Sequence, residues 1–244
     1  MKEKIISIIN QKGGVGKTTT VINLAAGLSL HQKKVLVIDL DPQGNATTGL
    51  GLSNLENSEK SIYSVLNGTK KISEVIEKTK FDNLDLITSN VDLSGLEVET
   101  AGDNRRAFIL KEKLMAYLND SRAEYSHILI DCPPSLSLLT IMALVSSDSL
   151  LVPLQTEFFA LEGLTQLMKT IDRIKNNLNP ELSIRGILLT MYDKRNKLSG
   201  EVEKEARDYF KEKVYSTVIP RNVRLSEAPS HGMPVLLYDK LCAG

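Results

Sequence analysis

One segment of this chain restricts its fold more than any other: NQKGGVGKTTT, which spans residues 10–20. The apolar run before it, Ile5–Ile9, predicts a buried strand. The segment after it predicts a helix, because apolar residues recur there at helical spacing. These residues are Val21, Leu24, Ala25 and Leu28. Strand, glycine-rich turn and helix N-terminus together gather backbone N–H groups and the helix dipole at one point, which predicts a phosphate-binding loop.

Individual residues of this loop have distinct expected roles. The glycines leave the backbone open to a phosphate, since a Cβ atom would block its approach. Lys17 can reach the β- and γ-phosphates, and the hydroxyl of Thr18 can ligate Mg²⁺. The predicted phosphate-binding residues are Lys12, Gly13, Gly14, Val15, Gly16, Lys17, Thr18 and Thr19.

The loop departs from the usual phosphate-binding motif at one position. The motif has glycine where this chain has Gln11, and the chain carries an additional lysine, Lys12. The alternative interpretation is a glycine-rich turn with two solvated lysines. It is disfavoured because the strand, the turn, the Gly-Lys-Thr triplet and the helix all coincide.

Composition places the chain among ordinary soluble globular proteins. It has 244 residues, 42% hydrophobic and 25% charged, and we expect one domain over residues 1–244. The formal net charge is zero, so attraction to DNA or to a membrane must come from a local patch. Cys132 and Cys242 suggest neither a disulfide framework nor a metal-ligand cluster, which favours a reducing cytoplasm. We see no signal-peptide pattern and no apolar run of about 20 residues.

Apolar runs and helical patterns alternate along the chain, which predicts a doubly wound α/β fold with a mostly parallel sheet flanked by helices. Several runs are apolar on both faces, as expected for strands covered by helices on each side. The predicted strands are Ile5–Ile9, Val35–Asp39, Leu84–Thr88, His127–Asp131, Ser149–Leu154 and Gly186–Met191. Ligands of such sheets bind beyond the carboxyl ends of the strands, where the loop is expected.

Carboxylates end two of these runs. Asp39 and Asp41 close the second strand, and Pro42 and Gly44 turn the chain after them. Beside a phosphate loop, Asp41 could orient an attacking water or sense the metal. We interpret Asp39 as part of a plain strand-ending turn with exposed acids. Asp131 ends the run ILID, the usual partner of a phosphate loop, and is expected to hold Mg²⁺ directly or through water. The candidate metal residues are therefore Thr18, Asp41 and Asp131.

Two later loops carry basic residues at the predicted ligand-binding edge. Arg195 lies in the first, within residues 191–197, and the second spans residues 218–229. Pro220 and Asn222 could flank an adenine through apolar contact and amide hydrogen bonds. The arginines that could contact DNA phosphates are Arg195, Arg221 and Arg224. A solvated charged face is an equally good interpretation, because neighbouring acidic residues offset the positive charge.

Taken together, these motifs carry a family resemblance. The segment from Lys12 to Thr19 resembles the deviant P-loop of the ParA/MinD ATPases, a family with the P-loop NTPase fold. Further stretches resemble the chromosome-partitioning ParA (Soj) branch across nearly the whole chain. They are DLDPQGNAT at 39–47, DCPPS at 131–135, EFFALEG at 157–163 and PRNVRLSEAP at 220–229.

The resemblance implies a slow ATPase that acts as a nucleotide switch, with Lys12, Lys17 and Asp41 as its catalytic residues and ATP and Mg²⁺ as its cofactors. In this family ATP closes a sandwich homodimer, and the lysine matching Lys12 reaches the partner's phosphates. The dimer binds DNA non-specifically, which implies nucleoid association. Arg195 matches the position most often tied to DNA binding. A ParB (Spo0J) centromere-binding partner stimulates hydrolysis and releases the dimer. A basic patch formed by dimerisation would reconcile non-specific DNA binding with the zero net charge of the chain.

Several alternatives stay open from the sequence. A MinD-like membrane-associated regulator of division-site placement would need an amphipathic tail, which is not visible, so no membrane is expected as a partner. A reductase component with an iron–sulfur cluster between subunits would need two well-placed cysteines per chain. The third alternative is a scaffold protein that binds a nucleotide but does not hydrolyse it. Family members usually continue past residues 237–244 into a further helix, so that helix is expected to be absent or truncated here.

Overall fold

The computed structural model describes residues 4–52, 59–120 and 125–244. In these ranges eight strands form one sheet, in the order β3-β4-β2-β5-β1-β6-β7-β8. The strands are β1 Ile5–Ile8, β2 Val35–Asp39, β3 Ile76–Lys78, β4 Leu84–Ile87, β5 His127–Asp131, β6 Ser149–Gln155, β7 Ser183–Tyr192 and β8 Val214–Pro220. In the described ranges β3 pairs antiparallel with β4 and the other pairs are parallel, which confirms the predicted mostly parallel sheet.

Helices cover both faces of the sheet. They are α1 Lys17–Leu30, α2 Asn45–Gly49, α3 Ile62–Leu66, α4 Ile72–Val75, α5 Leu96–Glu99, α6 Ile109–Leu118, α7 Leu138–Ser146, α8 Ala160–Asn177, α9 Lys197–Phe210, α10 Val223–Glu227 and α11 Val235–Tyr238. Short 3₁₀ helices lie at Val91–Gly95, Arg106–Phe108, Lys211–Lys213 and Ala228–His231.

Alternate residues of the central strands belong to different cores. On β5, Ile128 and Ile130 pack in the core that includes residues of α3, α4, α6 and α7, whereas Leu129 packs in the core that includes residues of α1. A third core joins β6 and β7 to α8 and α9. Strands buried on both faces explain why the sequence shows continuous apolar runs there instead of strict alternation.

The six predicted strands are all present, with ends that differ by up to three residues, and β3 and β8 were not among them. Both lie at the edges of the sheet. The residues of β3 are half-buried or exposed, and most of β8 is likewise only partly covered. Edge strands bury fewer side chains, so their apolar pattern is weaker and the sequence indicates them poorly.

The sheet order brings the candidate site together. Strand β5 lies between β2 and β1, so the loop after β1 and the ends of β2 and β5 adjoin. Asp39 pairs in register with Asp131, which in turn pairs with Ile8. The phosphate-binding loop and the two strand-ending carboxylates therefore meet at one edge of the sheet, as parallel strands predict.

Candidate functional site

The loop between β1 and α1 adopts a conformation that requires glycine at two positions. Gly14 has φ 75° and Gly16 has φ 89°, which are left-handed values that side chains with a Cβ rarely adopt. A Cβ added at Gly14 would meet no atom of the described chain within 4 Å. The backbone conformation therefore requires glycine at these two positions, and the space around Gly14 is open to an incoming group.

Hydrogen bonds fix the loop to its neighbouring strands. The amide of Asn10 donates to the Pro153 carbonyl (2.7 Å) on β6 and accepts from the Lys12 backbone N–H (3.0 Å). The Thr190 hydroxyl on β7 donates to the carbonyl of Val15 (2.9 Å). Two of these bonds tie the loop to strands of the sheet and the third lies within the loop, so rigid elements hold the loop in place.

Lys17, the first residue of α1, turns its side chain back into the loop. Its Nζ donates to the Lys12 carbonyl (3.0 Å), and the residue is only 7% exposed. Burial lowers the pKa of the Lys17 ammonium, while Asp131 acts in the opposite direction. A buried cation at the start of a helix makes this loop a strong anion site.

Asp131 ends β5 as a fully buried carboxylate. Within the described ranges no hydrogen bond of good geometry reaches either of its oxygens, although the Thr18 hydroxyl lies close by. Burial raises the pKa of Asp131 well above its usual range and Asp39 adds to this, whereas the Thr18 hydroxyl and the Lys17 ammonium lower it. Two orphaned buried oxygens need a cation or a proton to compensate them.

This chemistry fits Mg²⁺ bound together with a phosphate ligand. In the described ranges, this site included, no group of three or more His, Cys, Asp or Glu side chains is arranged to hold a metal ion by itself. Mg²⁺ in proteins commonly takes one or two protein oxygens and completes its shell with phosphate and water. Thr18 and Asp131 can supply such oxygens, and the predicted metal role of Asp41 stays a prediction.

The residues around Asp41 differ in part from expectation. Asp41 is 6% exposed, and its Oδ1 accepts from the Gln43 backbone N–H (3.0 Å). The interpretation of Asp39 as an exposed acid is wrong, because this residue is fully buried. Burial raises the pKa of Asp39 to about 6, and hydrogen bonds from Thr47 act against that shift. Asp39 is therefore part of the interior of the site.

A cavity of about 450 Å³ lies over the loop. The predicted residues that line it are Gly13, Gly14, Gly16, Lys17, Thr18, Thr19 and Asp41. Its other lining residues were not predicted: Asn45, Thr48, Gly49, Pro134, Met191, Pro229 and Ser230. The volume is within the usual range for small-molecule sites. The sequence could have indicated Asn45 as a lining residue, because it directly follows the turn that begins at Asp41.

A second cavity of about 570 Å³ adjoins the first and shares Gly16, Thr19 and Met191 with it. Pro220 and Asn222, the two residues predicted to flank adenine, line this second cavity. The structure thus brings them to the same groove as the phosphate-binding loop. Their contact with a base stays a prediction.

Lys12 is not among the residues that line the cavity over the loop. Its ammonium forms an ion pair with Glu157, in the turn that follows β6, and the Lys12 side chain is 49% exposed. Two exposed aromatic residues come next, Phe158 and Phe159, whose rings pack edge to face with centroids 5.0 Å apart. Lys12 therefore pairs with a segment that also exposes two aromatic rings.

The three predicted DNA-binding arginines are exposed but not equivalent, because Arg195 and Arg221 lie on loops and Arg224 lies in α10. Arg195 makes a bidentate pair with Asp193, in which both N–O distances are 3.0 Å. These hydrogen bonds lower the pKa of Asp193 to about 2. Arg224 donates to Glu227 (2.8 Å), an internal pair that occupies part of its guanidinium. Arg221 is exposed and close enough to Asp193 to lower its pKa as well.

Comparisons with known proteins agree with this geometry. A family model described as "AAA domain" matches residues 3–184. The chain is 52% identical over 241 residues to the chromosome partitioning protein ParA of Caulobacter vibrioides, covering 99% of this chain and 89% of that protein. It is 49% identical to the chromosome-partitioning ATPase Soj of Treponema pallidum, covering 99% and 92%. This chain belongs to the ParA/Soj family.

Solved structures place this ParA/Soj member among nucleotide-binding proteins. A cobyrinic acid a,c-diamide synthase from Mycobacterium smegmatis, with bound ADP and magnesium, superposes with a TM-score of 0.83 at 34% identity, covering 95% of this chain and 92% of that one. The septum site-determining protein MinD of Pyrococcus horikoshii, complexed with Mg-ADP, gives 0.79 at 27% identity, covering 98% and 90%. The MinD-like alternative therefore corresponds to a distant relative only.

Two separate observations concern membrane-spanning helices and the thiol of Cys132. In the ranges that the structure describes, no helix combines the length and apolar composition needed to cross a bilayer. The Cys132 thiol is buried, with 1% of the residue exposed, and burial raises its pKa. A buried, protonated thiol is a poor ligand for a cluster shared between subunits.

Proposed function

We propose that this protein is an ATP-dependent DNA-partitioning ATPase that segregates a chromosome or plasmid. One observation carries the proposal: Lys17, Thr18 and Asp41 line one groove at the carboxyl edge of the sheet, and the buried Asp131 lies close to all three. That set is what phosphoryl transfer to water requires, namely charge compensation, a metal site and a carboxylate near the reacting phosphate. Relatives named as partitioning proteins supply the biological role.

Phosphate binding rests on the loop and on α1. Backbone N–H groups around Gly14 and Gly16 and the N-terminus of α1 attract the anion. Lys17 compensates charge on the β- and γ-phosphates, and it would exchange its bond with the Lys12 carbonyl for a phosphate oxygen. Thr18 and Asp131 would hold Mg²⁺, which when bound neutralises charge developing on the phosphates.

Hydrolysis requires a water placed in line with the γ-phosphate. Asp41 lines the cavity that also contains Lys17 and Thr18, so its carboxylate can orient that water and accept its proton. Lys12 is the additional cation. In an ATP-bound homodimer it would leave Glu157 and offset the charge of the partner's nucleotide, where two triphosphates face one another.

DNA binding would be a property of the ATP-bound homodimer. Arg195 and Arg221 lie on exposed loops, and two subunits together present twice this basic surface without a net charge on either chain. Contacts of this type go to phosphates and carry no sequence information, which suits a protein that spreads over the nucleoid. A ParB-type partner would stimulate hydrolysis and so release the dimer. All parts of the cycle would reside in one domain over residues 1–244.

The test compares nucleotide states of the full chain. Molecular mass by light scattering and binding to an unrelated duplex are measured with ADP, with ATP and with a slowly hydrolysed ATP analogue. We expect a monomer that binds DNA weakly with ADP, and a dimer that binds DNA tightly with ATP or the analogue. One unchanging mass and one unchanging DNA affinity in all three states would contradict the proposal.

A further inference from the structure

The backbone of Asp41 is held on both sides by buried hydrogen bonds. Its N–H donates to Oδ1 of Asp39 (3.2 Å), and its carbonyl accepts from the hydroxyl of Ser89 (2.5 Å). Asp39 ends β2, whereas Ser89 follows β4, the neighbouring strand. The candidate catalytic residue is thus fixed between two strands of the sheet.

Thr47 closes these two contacts into a ring. Its backbone N–H and its hydroxyl both donate to Oδ2 of Asp39, at 2.8 Å and 2.7 Å. The same hydroxyl oxygen accepts from the Ser89 backbone N–H (3.1 Å). The four residues Asp39, Asp41, Ser89 and Thr47 therefore form a continuous hydrogen-bonded ring, in which two bonds join Thr47 to Asp39 and one bond joins each other neighbouring pair.

The ring is shielded from water. Asp39 and Thr47 have 0% exposure, Ser89 has 1% and Asp41 has 6%. In such an interior hydrogen bonds strengthen one another, and an unpaired member is costly. Thr47 also belongs to α2, a helix of only five residues, which cannot be stable by itself and depends on contacts of this kind.

We propose that Asp39, Thr47 and Ser89 are positioning residues that set the backbone of Asp41, and through it the direction of the Asp41 carboxylate, for ATP hydrolysis. The inference rests on the proposed function and adds a group of residues that do not touch the nucleotide. Catalytic groups must be held to within a fraction of an ångström, and a displacement of about 1 Å can cost about 100-fold in rate.

Thr47 provides the sharpest test because its two oxygen-dependent contacts can be removed without changing its shape. In Thr47→Val the hydroxyl is lost and the branched side chain is kept, so Asp39 loses one donor and the Ser89 N–H loses its acceptor. In Thr47→Ser the hydroxyl is kept and one methyl group is lost. A purely structural role would appear in Thr47→Val as lower stability or weaker ATP binding, because an unpaired buried donor is costly, whereas a positioning role slows hydrolysis while ATP binding persists.

The experiment measures ATP affinity, ATP-dependent dimer mass and single-turnover hydrolysis on the full chain. For Thr47→Val we expect hydrolysis to fall at least about 10-fold while ATP affinity and dimer mass stay within about twofold. For Thr47→Ser we expect a rate within about threefold of wild type. Hydrolysis by Thr47→Val at the wild-type rate, or equal slowing in both variants, would overturn the proposal.

Ser89→Ala gives an independent measurement if Thr47→Val does not fold. It removes the hydroxyl that donates to the Asp41 carbonyl and keeps the backbone N–H bond to Thr47. Slower hydrolysis with unchanged ATP affinity supports the proposal, and an unchanged rate overturns it. If the wild-type chain binds no ATP, the proposed function itself is wrong. If the variants hydrolyse ATP at the wild-type rate, only the positioning role is wrong.

Discussion

The ammonium of Lys12 is paired with the carboxylate of Glu157 within one chain. Lys12 belongs to the phosphate-binding loop, whereas Glu157 follows β6, so the pair bridges two segments of the nucleotide edge. If Lys12 serves a partner's nucleotide, this ion pair must break when the dimer forms. The free subunit would then be stabilised against dimerisation by a contact that the dimer lacks.

Glu157→Gln should lower the ATP concentration that is needed for dimerisation. The side chains of Lys12 and Glu157 are 49% and 29% exposed, and a partly exposed pair of this kind is worth up to about 1 kcal/mol, or about fivefold in ATP concentration. Light scattering across an ATP titration measures the shift. Glu162→Gln, in the exposed first turn of α8, is the matched control and should leave the titration unchanged. A higher ATP requirement in Glu157→Gln would contradict the assignment.

Lys17→Ala should abolish most nucleotide binding. The buried ammonium is expected to make charge-assisted hydrogen bonds to phosphate, each worth about 1.5–3 kcal/mol, so affinity should fall by about 10- to 100-fold. Calorimetric titration with ATP gives the affinity directly. Lys33→Ala removes an exposed lysine and serves as the control. An ATP affinity equal to wild type in Lys17→Ala would contradict the assignment of this loop as the phosphate-binding site.

Asp41→Ala should separate binding from hydrolysis. ATP affinity and the mass of the ATP-bound dimer should persist, because Lys17 and the loop are intact. Single-turnover hydrolysis should slow by about 100-fold or more, the usual contribution of a group that orients or deprotonates water. A variant that stays monomeric with ATP would show that Asp41 has been assigned the wrong role.

Arg195→Glu should weaken DNA binding without changing ATP affinity. The Arg195 side chain is 91% exposed and lies outside both cavities, so reversing its charge should act on DNA phosphates alone. Gel shifts at several salt concentrations should also give a smaller salt dependence, by about 0.9 in slope for each DNA phosphate that the variant no longer neutralises.

Asp193→Asn tests the same loop in the opposite sense. It removes the carboxylate that holds the Arg195 guanidinium, so DNA binding should become tighter. Equal gel shifts for wild type, Arg195→Glu and Asp193→Asn would mean that the DNA-binding surface lies elsewhere on the protein.

Much of the central fold could be predicted because its signals are local. A glycine-rich turn between an apolar run and a helical pattern needs no distant information, and neither do strands buried on both faces. The loop from Gly13 to Thr18 and the strand-ending Asp131 lie together in the structure as the sequence predicts.

The features that could not be predicted depend on partners far away in the chain. Pro42 and Gly44 indicate an exposed turn, yet Asp39 is buried, and its oxygens accept hydrogen bonds from Thr47 and from the backbone N–H of Asp41. The pairing of Lys12 with Glu157 likewise depends on β1 and β6 being neighbours. Neither contact leaves a pattern in the residues around it.

The ring around Asp41 has a consequence for how fast the nucleotide cycle runs. The Ser89 hydroxyl donates to the backbone carbonyl of Asp41 from the end of the next strand. If Asp41 acts in hydrolysis, the duration of the ATP-bound state would depend on how these two strands pack as well as on the phosphate-binding loop. Substitutions well outside the nucleotide groove could then lengthen or shorten that state while affinity for ATP stays the same. Timing and affinity would be separately adjustable in this protein.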